Sequence, residues 1–311
     1  MSQARKDLLT RLSRLAIAAS KDEINSKPAH EEEWNERARL LKIGIALSVF
    51  TSLEDFVKRR VVEVLLKLNT ISPKSKALPS GLVNALTIEA IKTAAGRINH
   101  ADRFKISDIR AFAIEQAKKI ASLADNLIIP SDMALADNNS NISWALIDDA
   151  LLSFGVVNPA SVMSGIAQRI AGGVFASKDH FEKATQLRHQ VAHEPWFDMP
   201  AGDMAMHLRT GAMLCCSFDL ALSTAAARIV HGTLLTQPAA TANKDVALIY
   251  VEKSGGKWRH KKEGAKKGKV AADEDLAFEA ARNAGGVTRS CVVIAPVDAK
   301  SPCTRWDTPF L

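Results

Sequence analysis

The apolar residues of the first 232 positions recur at helical spacings, and this periodicity limits the possible folds more than any other feature. Leu8, Leu12 and Leu15 begin one apolar stripe. A second, longer stripe has spacings of three, four and seven residues and contains Leu40, Ile43, Leu47, Phe50, Val57, Val61, Val64 and Leu68. These spacings place side chains on one face of an α-helix, whereas a half-buried strand alternates every second residue. The sequence therefore predicts an all-α domain over residues 1–232.

Start and stop signals divide this domain into helices. Asn158-Pro159 is typical of a helix start, because proline is tolerated at the first helical position, and Gly172-Gly173 is typical of an end. Ser177 is predicted to cap the next helix, which Pro195 ends. After a long helix over residues 34–68, the sequence predicts helices at 82–97, 107–124, 141–154, 159–172, 177–193 and 202–231. The last of these is apolar almost all round, so we expect it to be central.

The residue pattern changes after residue 232, where the helical periodicity ends. Residues 233–245 are predicted to form a linker. The segment VALIYVEK is rich in β-branched residues and predicts a strand, followed by an SGG turn. Two more strands around a basic loop, a short helix from Asp273 to Gly285-Gly286, and a last strand, TRSCVVIAP, follow. The fold class is therefore mainly α, a helical bundle followed by a small basic α+β domain over residues 246–311.

The positive charge of the chain is concentrated in one segment. Lys and Arg number 41 against 34 Asp and Glu, which gives a net charge of +7. Residues 253–269 hold eight basic residues against Glu263 alone, so this segment also carries +7 and the remainder is formally neutral. The segment is either a solvated loop or a phosphate-binding patch. The candidate nucleic-acid-binding residues are Lys257, Arg259, Lys261, Lys262, Lys266, Lys267 and Lys269.

Composition argues against several other classes of protein. Aromatic residues make up 5%, with a single tyrosine, which argues against a broad platform for stacking bases. The four cysteines form no C-x-x-C pair, so we expect neither a disulfide framework nor a zinc site. Free cysteines are typical of a reducing compartment, so we expect a cytoplasmic location. No apolar run reaches the ~18 residues of a membrane span. Asp7, Asp22 and Glu23 favour an ordinary first helix over a transit peptide. No cofactor is indicated.

The segment QLRHQVAHE, residues 186–194, holds the strongest candidates for catalysis. His189 and His193 are one helical turn apart and project on nearly one face. Arg188 lies on the flank nearer the apolar, core-facing side of the same helix. An arginine can hold the non-bridging oxygens of a phosphodiester, and a histidine can move a proton near neutral pH. Neither task needs a metal. A solvated helix end is one alternative. A metal-binding histidine pair is another, although it lacks a nearby third ligand.

The string Arg188-His189-x-x-x-His193 resembles the R-x4–6-H motif of the HEPN superfamily. Its usual form is arginine, a polar residue, three residues and then histidine, and Ala192 fits the common form. HEPN domains are all-α bundles in which the motif ends the helix before a last long helix, an order that residues 30–232 share. The segment ALSVFTSLEDFVKRRVVEVL is also similar to an early long helix of stand-alone HEPN nucleases.

The resemblance implies metal-independent endoribonuclease activity in toxin–antitoxin systems or antiviral defence. In HEPN enzymes the 2′-hydroxyl attacks the adjacent phosphate and leaves a cyclic 2′,3′-phosphate. Two motifs usually meet in a homodimer with a composite site, which here would contain Arg188 and His193, with His189 at the polar position. A catalytically inactive module that binds RNA or a partner such as an antitoxin is the alternative. A DNA-binding role is disfavoured because no helix-turn-helix signature is present.

Glu54 is the remaining candidate, because it interrupts an apolar helical stripe. Leu47, Phe50, Glu54, Val57 and Val61 follow one another at spacings of three and four. An unpaired buried carboxylate costs several kcal/mol, so Glu54 needs a partner. One interpretation is an internal ion pair. The other is that Glu54 orients Arg188 or His193, since HEPN sites often recruit a polar residue from an early helix.

Overall fold

The structure is a computed structural model that describes residues 2–71, 78–124, 129–131, 133–135, 142–194, 196–230, 241–288, 291–294 and 303–308. The protein is mainly helical and has a small mixed sheet towards its C-terminal end. The predicted order of helices followed by strands is confirmed.

The helices lie close to the predicted ranges. They are α1 (Gln3–Ala19), α2 (Glu32–Ile71), α3 (Ser80–Asn84), α4 (Ala90–Asn99), α5 (Ile109–Ala121), α6 (Trp144–Ser153), α7 (Pro159–Ala171), α8 (Ser177–His193), α9 (Ala201–Val230) and α10 (Glu274–Thr288). A π-helical turn, Ala85–Glu89, joins α3 to α4. The strands are β1 (Leu248–Ser254), β2 (Lys257–Lys262), β3 (Lys269–Ala271), β4 (Cys291–Ile294) and β5 (Trp306–Asp307).

Four helix ends test the predicted start and stop signals. Asn158 caps α7, because its side chain accepts a hydrogen bond from the Ser161 N–H at 3.4 Å, and Gly172 ends the helix with φ +68°. Ser177 is wrongly predicted as a cap. It is the first residue inside α8, it is buried, and its N–H donates to Ser164 Oγ at 2.9 Å. The helix α10 also continues through the glycine pair that was predicted to end it.

The helix α9 is the central element of the bundle, as predicted. It packs against α1, α2, α7 and α8, and Cys216, Phe218 and Leu222 are fully buried along it. Residues Gly202–Val230 are long and apolar enough to cross a membrane by length and composition. However, 89% of their most apolar window is buried inside the protein. Packing against the other helices therefore accounts for this apolar sequence.

The C-terminal sheet shares the hydrophobic core of the helical bundle. Its strand order is β3-β2-β1-β4-β5, with β1 antiparallel to β2 and parallel to β4. The helix α10 covers one face, where Ile249 and Val251 contact the buried Phe278. On the other face, Leu248 and Val293 join the same core as the helices. The change in residue pattern after residue 232 therefore marks a change from helices to a sheet within one continuous core.

The predicted linker, 233–245, is described only in its last five residues, because residues 231–240 lie outside the described part of the chain. Thr241 is buried and forms a parallel bridge with Val156, which precedes α7. Asp245 forms an ion pair with Arg228 of α9 at 2.7 Å. These last residues are thus attached to the bundle.

A fully buried ionic cluster joins both ends of the chain to the centre of the bundle. The carboxylate of Asp219 in α9 accepts hydrogen bonds from Arg5 Nε at 2.7 Å and from Arg60 Nε at 2.6 Å. Trp306 Nε1 of β5 donates to the same carboxylate at 2.8 Å. Arg5 also forms an ion pair with Asp307. Four separate segments, namely α1, α2, α9 and β5, therefore meet at one carboxylate.

Charge pairing in this cluster keeps Asp219 ionised. Burial by itself would raise the pKa of Asp219, but the attraction of Arg5 and Arg60 and their hydrogen bonds outweigh that effect and hold the pKa well below its ordinary range. A carboxyl group whose folded pKa is lowered stabilises the fold at pH values above its unfolded pKa, about 3.9. That stabilisation is lost as the pH falls from about 4 through the folded pKa.

We predict that Asp219→Asn lowers the free energy of unfolding by about 3–5 kcal/mol, because the buried guanidinium groups of Arg5 and Arg60 lose the counter-charge that they share. The variant should also lose part of the wild-type decrease in stability below about pH 4. The matched control is Asp55→Asn, whose partners Arg11 and Arg59 are partly exposed, and it should cost under about 1 kcal/mol. Urea unfolding measured from pH 2 to pH 7 tests both; equal losses in the two variants would contradict the prediction.

Candidate active site

Packing of α8 against its neighbours determines which of its side chains face solvent. Phe181 of α8 lies 6.1 Å from Phe50 of α2 and 5.8 Å from Trp144 of α6, measured between ring centroids. Ala184 and Val191 are buried on the same face. At about 100° per residue, the opposite face of the helix carries residues 189 and 193. The apolar stripe thus turns these two positions towards water.

The two histidines form an exposed pair at the end of α8. Their ring centroids are 4.5 Å apart with an interplanar angle of 53°, and both side chains are exposed. The helix ends at His193, where the Glu194 N–H donates to the Gln190 carbonyl at 2.8 Å. The predicted common face of His189 and His193 is confirmed. Two imidazoles within contact distance can act together as proton donor and acceptor at one reacting group.

Arg188 lies on the flank of α8 between the core and the histidine pair. Its side chain is half-buried, as the position beside Leu187 and Val191 predicts. Around the helix axis it is about 100° from His189 and about 140° from His193. The structure therefore brings the two imidazoles together and leaves the guanidinium on a neighbouring flank. A phosphate that contacts all three groups has to lie along the edge between these two faces.

The structure does not bring Glu54 to the histidine pair. Glu54 is half-buried, and its Oε1 accepts a hydrogen bond from the Ile142 N–H at 2.6 Å. It lies one turn beyond Phe50 on α2, whereas His193 lies more than three turns beyond Phe181 in the opposite direction.

Contacts at the far end support this antiparallel arrangement, because Arg39 and Lys42 of α2 lie beside Trp196 and Asp198, which follow α8. The axial separation of Glu54 and His193 is then about 24 Å at 1.5 Å per residue. Within one chain, Glu54 therefore cannot orient His193. The described contact of its carboxylate is with a backbone amide that precedes α6.

Sequence reasoning missed Trp196, three residues after His193. Its side chain is 85% exposed, and the Arg39 guanidinium lies 5.8 Å from its ring centroid. Lys42, which is almost fully buried, forms an ion pair with Asp198 and attaches the segment after α8 to α2. The available signal is a large aromatic residue next to Pro195, which is predicted to end the motif helix and lies outside the described residues.

The surroundings of the histidine pair are open. A groove of about 400 Å³ lies between α8 and the start of α9, and it is lined by residues that include His180, Lys183 and Leu187. A larger cavity of about 620 Å³ lies between the α3–α4 segment and α6, and none of the candidate catalytic residues lines it. Small-molecule sites are usually concave. A helix end that projects its imidazoles into water is better suited to a polymer that lies across it.

A metal site at the histidine pair has little support from its neighbours. In the part of the chain that the structure describes, no group of three or more His, Cys, Asp or Glu side chains could hold a metal ion. The chemistry that the site offers through its own side chains is proton transfer by imidazole and charge neutralisation by guanidinium.

The basic segment forms two connected hairpins at the edge of the sheet. Gly255 and Gly256, with φ of +58° and +76°, make the two-residue turn between β1 and β2 that positive φ values at both positions permit. The predicted SGG turn is thus confirmed. A second turn, residues 263–268, joins β2 to the edge strand β3.

The basic side chains of this segment differ in exposure. Lys257, Lys262, Lys266, Lys267 and Lys269 are exposed. Arg259 and Lys261 are half-buried, and Lys261 forms an ion pair with Glu252 at 2.7 Å across the β1–β2 pair. The five exposed lysines are therefore the better candidates for phosphate contacts. Trp258 packs partly against the small cluster under α10, as expected for a core residue.

Glu263, the single acid of the basic segment, attaches it to the bundle. Its carboxylate accepts a hydrogen bond from Arg169 Nε of α7 at 2.8 Å and one from the Tyr250 hydroxyl at 3.2 Å. The hydrogen bonds from Arg169 lower the pKa of Glu263 and outweigh the opposing effect of its burial. Arg169 also donates to the Val246 carbonyl at 2.6 Å. The base of the lysine-rich turn is therefore fixed to α7.

Comparison of the chain with family models, with curated proteins and with solved structures gives no match. The resemblance to HEPN proteins therefore depends on the motif residues and on the order of the helices. The geometry of Arg188, His189 and His193 is therefore the main structural support for a function.

We predict that the exposed lysines provide most of the salt dependence of binding to single-stranded RNA. Replacing Lys257, Lys262, Lys266 and Lys267 with serine should make the slope of log affinity against log salt about 2.8 units shallower, at roughly 0.7 per lost phosphate contact. Lys261→Ser is the control, because its ammonium already pairs with Glu252, and it should change the slope much less. Fluorescence anisotropy across a salt series measures both, and an unchanged slope in the fourfold variant would show that the segment does not bind RNA.

Proposed function

We propose that this protein is a metal-independent endoribonuclease of the HEPN type that acts in the cytoplasm in a toxin–antitoxin or antiviral defence setting. The observation that carries the proposal is the exposed His189–His193 pair, with centroids 4.5 Å apart, at the end of a helix that also holds Arg188. The helical bundle around it and the position of that helix before the long central helix support the same conclusion.

The proposed reaction is an internal transesterification of RNA. His193 removes the proton from a 2′-hydroxyl, whose oxygen attacks the adjacent phosphorus while the bond from phosphorus to the 5′-oxygen breaks. A second imidazole donates a proton to the leaving 5′-oxygen. Arg188 neutralises the charge that develops on the non-bridging oxygens, and His189 orients the phosphate or carries the second proton. The products are a cyclic 2′,3′-phosphate and a free 5′-hydroxyl.

A homodimer completes this site. The proposed reaction needs a base, an acid and a positive charge at one phosphate. In a single chain Arg188 diverges from His193 by about 140° around the helix axis. A two-fold axis close to the end of α8 would place a second Arg188 and a second His193 opposite the first pair. Two-fold dimers are also the commonest oligomers.

A catalytically inactive module that binds RNA or an antitoxin-like partner is the second candidate function. The divergence of Arg188 from the histidine pair favours it, as does a basic segment that is separate from the motif in sequence. In that case the exposed lysines would bind RNA and the histidines would transfer no protons.

We predict that the purified protein cleaves single-stranded RNA in the presence of EDTA and leaves cyclic 2′,3′-phosphate ends. Arg188→Ala and His193→Ala should lower the cleavage rate by at least 100-fold, the usual scale for losing a general acid–base or charge-stabilising group. His189→Ala should have a smaller effect.

Gln190→Ala is the matched control, because Gln190 is an exposed residue of the same helix and its replacement should leave cleavage unchanged. The His189, His193 and Gln190 variants should unfold at the wild-type temperature, since exposed polar positions contribute little to packing. Cleavage at the wild-type rate by His193→Ala would refute the assignment, and RNA binding without any cleavage by the wild type would favour the inactive module.

We also predict that the protein is a dimer in solution at micromolar concentration. The reason is that a two-fold interface supplies both the acid and the base that one histidine cannot provide alone. Multi-angle light scattering measures the mass directly, with one chain contributing 33.6 kDa. An active monomer would contradict the composite site and would assign the second proton transfer to His189.

A further inference from the structure

Trp196 is the most unusual residue beside the proposed site. Its side chain is 85% exposed, whereas Trp306 is fully buried and Trp34, Trp144 and Trp258 are all half-buried. Indole has a large apolar face, and tryptophan in such exposed positions is characteristic of binding surfaces. An exposed tryptophan at this place therefore indicates a ligand that covers it.

Described contacts attach residues on both sides of Trp196 to the helices. On one side, the Glu194 N–H donates to the Gln190 carbonyl at 2.8 Å and ends α8. On the other side, the Phe197 N–H donates to the Glu194 carbonyl at 3.1 Å, and Met199 is buried. The ion pair between Lys42 and Asp198 fixes the next residue to α2. Trp196 is thus exposed between residues that contact α8 and α2.

The chemistry around Trp196 indicates which ligand it takes. It is the third residue after His193, so their Cα atoms are at most about 11 Å apart. The neighbouring groups His189, His193 and Arg188 suit a phosphodiester, while an indole face suits the flat face of a nucleobase. A single-stranded polynucleotide offers both groups within one nucleotide. A base-paired strand does not, because its bases are stacked inside the helix.

We propose that Trp196 stacks on an unpaired base next to the phosphate that the histidine pair engages, and so restricts the protein to single-stranded RNA. This inference rests on the proposed ribonuclease function and adds a substrate-stacking residue to it. Arg39 lies 5.8 Å from the ring centroid and is itself hydrogen-bonded to Glu36, so it supports the indole from its other side.

The first test measures binding without cleavage. The probe is a single-stranded oligonucleotide with 2′-O-methyl riboses, which lacks the attacking hydroxyl. We expect it to quench the fluorescence of the wild type and of the control Trp34→Phe, but to quench Trp196→Phe less. Trp196→Ala should bind the probe roughly 10-fold more weakly, and Trp196→Phe should recover most of the affinity because it keeps an aromatic face.

The second test distinguishes stacking from a structural role. An abasic residue placed next to the cleavage position should raise KM roughly 10-fold for the wild type and leave KM nearly unchanged for Trp196→Ala, with kcat similar in all cases. Equal effects of the abasic residue in both proteins would overturn the inference. So would dissociation of the dimer in Trp196→Ala, since that would place the indole in a protein interface.

Failure of the ribonuclease proposal gives a different pattern. If the wild type cleaves no RNA but the 2′-O-methyl probe still quenches Trp196 fluorescence, the stacking residue stands and the protein is an RNA-binding module. If the wild type cleaves RNA and Trp196→Ala keeps the wild-type KM and probe affinity, the stacking role is wrong and the nuclease stands.

Discussion

The buried carboxylate of Asp219 is the interaction on which the rest of the structure depends. Two arginines from different helices and the indole of Trp306 donate to it, and all three donors are fully buried. Leaving any of these charges unpaired in the interior would cost several kcal/mol, so the four segments can come together in few other ways. The cluster therefore specifies how α1, α2, α9 and β5 meet, in addition to whatever it contributes to stability.

The orientation of the proposed site follows from that arrangement. With α2 and α9 held together, α8 packs in the space beside them through Phe181, Ala184 and Val191. Helical geometry then fixes the opposite face, and this face carries His189 and His193. The ion pair between Lys42 and Asp198 directs the chain after α8 along α2, which exposes Trp196. The position of the histidines is thus a consequence of apolar packing on the opposite face of the same helix.

Local signals in the sequence predict the helices well. Contacts between residues far apart in the sequence cannot be predicted from such signals. Periodicity and the Asn158-Pro159 and Gly172 signals gave helix ranges close to those observed, since both act over one or two turns. The common face of His189 and His193 followed from the same geometry. The role of Asp219 could not be predicted, because its partners are 214, 159 and 87 residues away in sequence. The interrupted apolar stripe predicts only that Glu54 needs a partner, and of the two interpretations the orienting role at His193 is excluded within one chain by the direction of α2 relative to α8.

Arginines and lysines have different roles in this protein. Several arginines stabilise the fold, whereas the exposed lysines are the proposed RNA contacts. Arg5, Arg60 and Arg169 each hold two or more partners with a planar guanidinium, and each joins distant segments. The exposed lysines of the basic segment are compact point charges at a sheet edge, and Glu263 is committed to Arg169 instead of neutralising them. Their positive charge therefore remains available to an anionic ligand. We propose a phosphate backbone as that ligand, because it presents regularly spaced charges without a fixed geometry.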